Sequence, residues 1–431
     1  MRTTVRGAVV LVAMLLTGVP AVPSAAGADD LPSVEPAADF YDVPDPLPPG
    51  DPGDVIKVET VAAPELRGTL HRVMYHSRSV AGADIAVTGT IAVPDAAAPA
   101  GGRPVVSWGH GTVGIADVCA PSKSPVSSLM VNFGNQILDA GYIMASTDYE
   151  GLGTPGRHPY IVGESEARGV IDIVRAARNL EAAEASPDWL VWGHSQGGHA
   201  ALFAGQLAES WAPELNLVGT VAGAPPSQLK LVYQALKGSR YRYYLLMAGV
   251  GMEAAYDTVD LTDVVTPLGM SKLDVVDTGC TEEIYEAYKD DATEDLVKAD
   301  PYTVPAWREL IDEQEPGTVR TDVPILMIHG GDDEQIPVVS SQLLLDRMCG
   351  LDQVVVRRVY PDRSHSGVIA PSFPAMLEWI DDRFEGQPAP NDCADAPPPT
   401  SAPTPSSSSS VPATPRAPAA TPVPARARFT G

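Results

Sequence analysis

The sequence predicts an α/β fold: a mostly parallel, buried sheet with a helical insertion. Three observations predict it. From about residue 103, short apolar β-rich runs alternate with helical stretches. One of these runs leads straight into Gly193-His194-Ser195-Gln196-Gly197-Gly198, and a small-residue helix leaves it. Between residues 226 and 321 the rhythm breaks, with roughly 95 residues that carry no clear strand.

In chain order, residues 1–28 read as a secretory signal. Arg2 and Arg6 give a positive start, residues 7–17 are apolar, and Ala26-Gly27-Ala28 offers a cleavage site. The run is much shorter than the roughly 20 residues of a bilayer span. No later run is long and apolar enough either, because Glu253 interrupts the nearest one, 243–255. Residues 29–53 are rich in Pro and Asp and read as a surface arm. Strands are expected at 55–61, 72–77, 85–93, 105–108, 142–147, 189–192, 217–222, 325–328 and 354–360. A helix is expected at 164–182, where Ala167, Val170, Ile171, Val174 and Ala177 recur at 3–4 spacing. A last helix is expected at 375–384. The α/β core thus comprises 54–225 and 322–393, with 226–321 inserted as a helical cap. Residues 394–431 are Pro, Ser, Thr and Ala, a composition that cannot bury a core. This tail reads as a disordered spacer, wall-associated segment or glycosylated stalk.

Composition narrows the function. The 431 residues carry Lys+Arg 29 against Asp+Glu 55, a net charge of −26. That balance excludes nucleic acid, which needs clustered Lys and Arg, and disfavours an anionic membrane surface. Export predicts oxidised thiols. The four cysteines, Cys119, Cys280, Cys349 and Cys393, lack the C-x-x-C spacing of a thiol metal site, and they allow three disulfide pairings. No H-E-x-x-H is present, so neither a metal nor another cofactor is expected.

The chemistry centres on Ser195. A tight strand-to-helix turn requires small residues at Gly193 and Gly197 and lifts the Ser195 hydroxyl clear of the sheet. Serine is a poor nucleophile without a base, and in this kind of fold the order is Ser, acid, His. Of the eight histidines, only His329 and His365 follow the elbow at a distance. His329 ends a strand, where it packs or caps. His365 lies in a loop between the last strand and last helix and is the expected base. In His329-Gly330-Gly331-Asp332-Asp333-Glu334-Gln335-Ile336-Pro337 the G-x-x-D-x-x-I-P spacing selects Asp333 as the acid, with Asp332 second. The backbone N–H of Gln196 is one expected oxyanion donor. The glycine-rich loop Gly109-His110-Gly111-Thr112-Val113-Gly114 supplies the other, from Thr112 first and Gly111 second.

Together these residues resemble the secretory lipases of the fungal lipase A type and their actinobacterial relatives. The similarity runs over most of 38–393. It is carried by Phe40-Tyr41 to Pro52-Gly53, Ser107-Trp108-Gly109-His110-Gly111-Thr112, Cys119-Ala120-Pro121-Ser122, Asp148-Tyr149-Glu150-Gly151-Leu152-Gly153, His158-Pro159-Tyr160 and Gly193 to Gly198. The resemblance implies an α/β-hydrolase fold with a helical cap after the sixth strand, matching 226–321. It implies triad roles for Ser195, Asp333 and His365. It also implies disulfides Cys119–Cys280 and Cys349–Cys393, the first tying cap to core. The fungal oxyanion loop carries an acidic residue where Gly111-Thr112 stands here.

The expected function is a secreted serine ester hydrolase, a monomeric triacylglycerol lipase working at a lipid–water interface. The rival readings are a short-chain carboxylesterase, a serine peptidase or amidase, and a non-catalytic surface-binding protein.

Overall fold

Each predicted apolar run becomes a strand in the structure, a computed structural model that describes residues 39–395. The proposed signal, the first part of the arm and most of the tail lie outside the described residues. The strands are β1 (Val55–Val61), β2 (Gly68–Arg78), β3 (Asp84–Pro94), β4 (Arg103–Gly109), β5 (Ile143–Thr147), β6 (Ala185–His194), β7 (Asn216–Gly223), β8 (Ile325–Gly330) and β9 (Val355–Tyr360). They form one nine-stranded sheet, ordered β1-β2-β3-β5-β4-β6-β7-β8-β9. The pairs β1/β2, β2/β3 and β3/β5 are antiparallel. From β5 through β4 to β9 the sheet is parallel, so the α/β class holds.

The central strands read as unbroken apolar runs because both faces are buried. Val105, Trp189 and Val191 pack on one side, against α1 (Gly163–Asn179) and α2 (Gln196–Trp211). Val106, Leu190 and Trp192 pack on the other, against Phe373, Met376, Trp379 and Ile380 of the last helix. That last helix begins at Ile369, six residues before the expected start. Pro374 lies inside it, and the helix runs through it. Phe373 is buried against Trp192 and Phe133, and that burial outweighs the lost backbone hydrogen bond.

Between β7 and β8 the chain forms α3 (Leu229–Lys237), α4 (Tyr243–Ala255), α5 (Thr281–Tyr288), α6 (Pro305–Glu313) and shorter helical turns. In chain order this stretch follows the seventh strand rather than the sixth. Tyr243, Leu246, Met247, Val250, Ile284, Tyr288 and Trp307 give it an apolar core of its own, which also takes in Tyr160 and Ile161. Cys119 is bonded to Cys280, so the base of α5 is fastened to the loop after β4. Cys349 is bonded to Cys393. After β8 and β9 come α7 (Val338–Cys349) and α8 (Ile369–Phe384). No helix among the described residues is long and apolar enough to cross a membrane.

Candidate active site

Strand β6 ends at His194, α2 begins at Gln196, and Ser195 makes the turn alone. Its backbone sits at φ 58°, ψ −121°, a region that non-glycine residues rarely enter. The neighbouring glycines permit the turn. A Cβ at Gly193 would lie 2.0 Å from the Gly197 carbonyl oxygen, and one at Gly197 would lie 1.8 Å from that of Gly109. The Ser195 N–H donates to the Gly223 carbonyl at 2.8 Å, which pins the turn to the end of β7.

The loop after β9 brings the His365 ring to 4.8 Å from that of His194, the residue before Ser195, and the loop after β8 brings Asp333. His365 Nδ1 donates to Asp333 Oδ2 at 2.7 Å. Asp333 Oδ1 accepts the N–H groups of Gln335 and Ile336 at 2.9 and 2.8 Å. Burial by itself would raise the Asp333 carboxyl. Hydrogen bonds from His329 and His365, helped by the N–H of Ile336, outweigh it and hold the group well below the usual carboxylate range. His365 Nε2 is buried and has no hydrogen-bond partner among the described residues. Asp332 is exposed, and its backbone N–H donates to the Arg363 carbonyl. Glu334, the third carboxylate of the cluster, accepts the backbone N–H of His365 at 3.0 Å.

Of the expected oxyanion donors, Gln196 is the first residue of α2, where an N–H has no partner inside the helix. The loop after β4 passes beside Ser195. A Cβ at Gly111 would lie 3.4 Å from the His194 carbonyl oxygen and 3.7 Å from Ser195 Cβ. The Thr112 hydroxyl bonds the Tyr160 hydroxyl at 2.8 Å.

Several buried residues near the site were passed over in the sequence. His329 Nε2 lies 3.2 Å from Asp333 Oδ2 and 3.0 Å from the Ile336 carbonyl. The His194 ring stands 4.8 Å from that of His365, and burial, with the neighbouring His365 adding to it, pushes its pKa down to about 3. Glu166 and His199 are fully buried beneath the elbow. The spacing of Gln196 and His199, three apart at a helix start, was the available signal for a shared face. Nothing in the chain pointed to Glu166, thirty residues away. Among the described residues, no group of three or more His, Cys, Asp or Glu is arranged to hold a metal.

Ser195 lines a cavity of about 980 Å³, counting its open mouth. Its walls are apolar and come largely from the inserted helices, including Leu229, Val232, Leu236, Leu246, Val265 and Trp307.

A secretory lipase family model matches residues 126–392. The secreted triacylglycerol lipase LIP4 of Malassezia globosa is 30% identical over 300 residues, which cover 64% of this chain and 65% of that protein. The chain spans just under two thirds of the length of the first curated relatives it matches. Among solved structures, the closed state of lipase A from Candida antarctica superposes with a TM-score of 0.68 at 21% identity. That match covers 83% of this chain and 87% of the lipase. The rice cell wall degrading esterase LipA of Xanthomonas oryzae gives 0.65 at 18% identity, over 79% of this chain and 100% of the esterase. At such identities these two likenesses establish the α/β-hydrolase fold.

Proposed function

The chain belongs to the secretory lipase family, and on that premise we propose that it is an exported serine hydrolase that cleaves carboxylic esters of acyl glycerols. The observation that carries this reading is the placing of Ser195 at an apolar cavity, with His365 hydrogen-bonded to Asp333 and its Nε2 unpartnered. The curated relatives named as secreted triacylglycerol lipases support both the reaction and the export.

In this mechanism Ser195 Oγ attacks the ester carbonyl carbon while His365 Nε2 takes the serine proton. Asp333 keeps the imidazole in the Nδ1–H tautomer and stabilises the imidazolium. The N–H of Gln196 and an N–H from Gly111 or Thr112 receive the developing oxyanion. Collapse of the tetrahedral intermediate passes the His365 proton to the leaving alcohol and leaves an acyl group on Ser195. Water, deprotonated by His365, then attacks the acyl-enzyme and releases the carboxylic acid. The acyl chain lies in the apolar cavity, where burying it supplies binding energy. A monomer at a lipid–water interface meets these needs.

Replacing Ser195 with Ala should abolish turnover of p-nitrophenyl esters with the fold intact, and retained turnover would overturn the assignment. In the wild type, an acyl series should favour long chains over acetate and butyrate, more so on an emulsion. Activity confined to the shortest esters would instead mark a carboxylesterase.

A further inference from the structure

One fully buried carboxylate beneath the elbow takes no part in the chemistry above. Glu166, on α1, is 0% exposed. It accepts from three different places. Gln196 Nε2 donates to its Oε1 at 2.9 Å, and the N–H of Ile161 reaches the same oxygen at 2.9 Å. His199 Nδ1 lies 2.9 Å from its Oε2. His199 Nε2 in turn lies 2.9 Å from the carbonyl of Gln314, just after α6, where the inserted helices return to the core.

Gln196 is the residue after the nucleophile. Its side-chain amide is held from the nitrogen end alone, because Oε1 has no partner among the described residues. The second acceptor of Nε2 is His158 Nε2, at 2.8 Å. His158 Nδ1 donates to the Glu150 carbonyl at 2.8 Å, and burial pushes its pKa down to about 3. Its Nε2 therefore carries a lone pair and can only accept. The Gln196 amide is thus clamped between a neutral imidazole and a carboxylate.

Ile161, the third ligand of Glu166, stands at φ 59°, a strained conformation for a β-branched residue. It lines the cavity beside Tyr160, whose hydroxyl reaches Thr112 in the other oxyanion loop. A buried charge is costly, and packing alone would be served as well by an apolar side chain of similar volume. What Glu166 adds is a fixed point where the start of α2, the strained cavity wall and the return of the inserted helices meet.

We propose that Glu166 is a positioning residue: through Gln196 it fixes the start of α2, and so aims the Gln196 N–H at the oxyanion. The assignment rests on the hydrolase reading above. Misaiming one donor removes stabilisation made only in the transition state, so it should lower kcat and spare KM.

The test uses E166Q, which removes the charge, and Q196M, which keeps the volume and removes the amide. Active sites are first counted by labelling to completion with a fluorophosphonate. Each variant should then show kcat per labelled site lowered by about 10- to 100-fold. KM should stay within about threefold, and binding of a trifluoromethyl ketone should weaken in parallel with kcat. A purely structural carboxylate would reduce the labelled fraction and the melting temperature but leave kcat per labelled site unchanged. If E166Q does not fold, Q196M decides alone. Wild-type kcat per site in a folded Q196M would overturn the assignment while the hydrolase reading stands. A wild type with no ester turnover would sink the hydrolase reading, and this assignment with it.

Discussion

Gly197 has no room for a methyl group, because the obstacle 1.8 Å away is the backbone of β4 and not a side chain that can rotate aside. The strand that would have to move also carries the loop proposed to supply an oxyanion donor. Gly197→Ala should therefore cost about 3 kcal/mol or more, the upper range for overpacking. Denaturant unfolding measures this, and a loss under about 1 kcal/mol would show that the turn relaxes freely. This constraint was legible in the sequence, since a G-x-S-x-G turn between strand and helix has one geometry. The spacing also selected Asp333 over Asp332, and it is Asp333 that meets His365, at 2.7 Å. The supporting side chains were not legible. His329 was read as packing at a strand end, yet it lies within 3.2 Å of the Asp333 carboxylate. His199 lies too near Ser195 in the chain to face it as a base. It matters through Glu166, and a contact between residues that distant in sequence leaves no local periodicity.

At the scale of elements, β9 is one of the two outer strands, and an open strand edge invites pairing with another chain. Here side chains from the C-terminal segment occupy that edge. Val355 N–H donates to Asn391 Oδ1 at 3.3 Å, and Arg357 N–H to Asp392 Oδ2 at 2.8 Å. The disulfide from Cys349 to Cys393, 44 residues apart, holds the segment there. Chain entropy for a loop of that length gives about 4 kcal/mol. The double variant C349S/C393S should lose stability of that order and self-associate through β9, which sedimentation would reveal. A variant that sediments like the wild type would show that Asn391 and Asp392 guard the edge unaided. The strands themselves were readable because burial on both faces leaves continuous apolar runs. Their order was not, for β5 lies between β3 and β4 only through long-range pairing. The start of α8 was missed because Pro374 is a local signal and the burial of Phe373 is a tertiary one.

Over the whole molecule, the net charge of −26 hides a second electrostatic feature, a set of histidines buried without charge. Burial lowers His71 and His110, and it takes His158 and His194 down to about 3. Each depressed group has the same consequence. Between the unfolded value near 6.5 and the folded value, the unfolded chain binds a proton that the folded chain refuses. The associated stability is complete above about pH 6.5 and is lost as the pH falls toward the folded value. Asp148, Glu150 and Asp172, raised by burial, act in the opposite direction as the pH falls. A single substitution separates the two. Gln at position 158 can still donate to the Glu150 carbonyl and accept from Gln196, but it does not titrate. For wild type, the His158 contribution to the stability difference between pH 7 and pH 5 is about 2 kcal/mol. Denaturant unfolding of H158Q at both pH values should therefore show a drop smaller by about that amount, whatever its absolute stability. An unchanged difference would mean that the folded protein admits the proton, and that the elbow's buried network opens in mild acid.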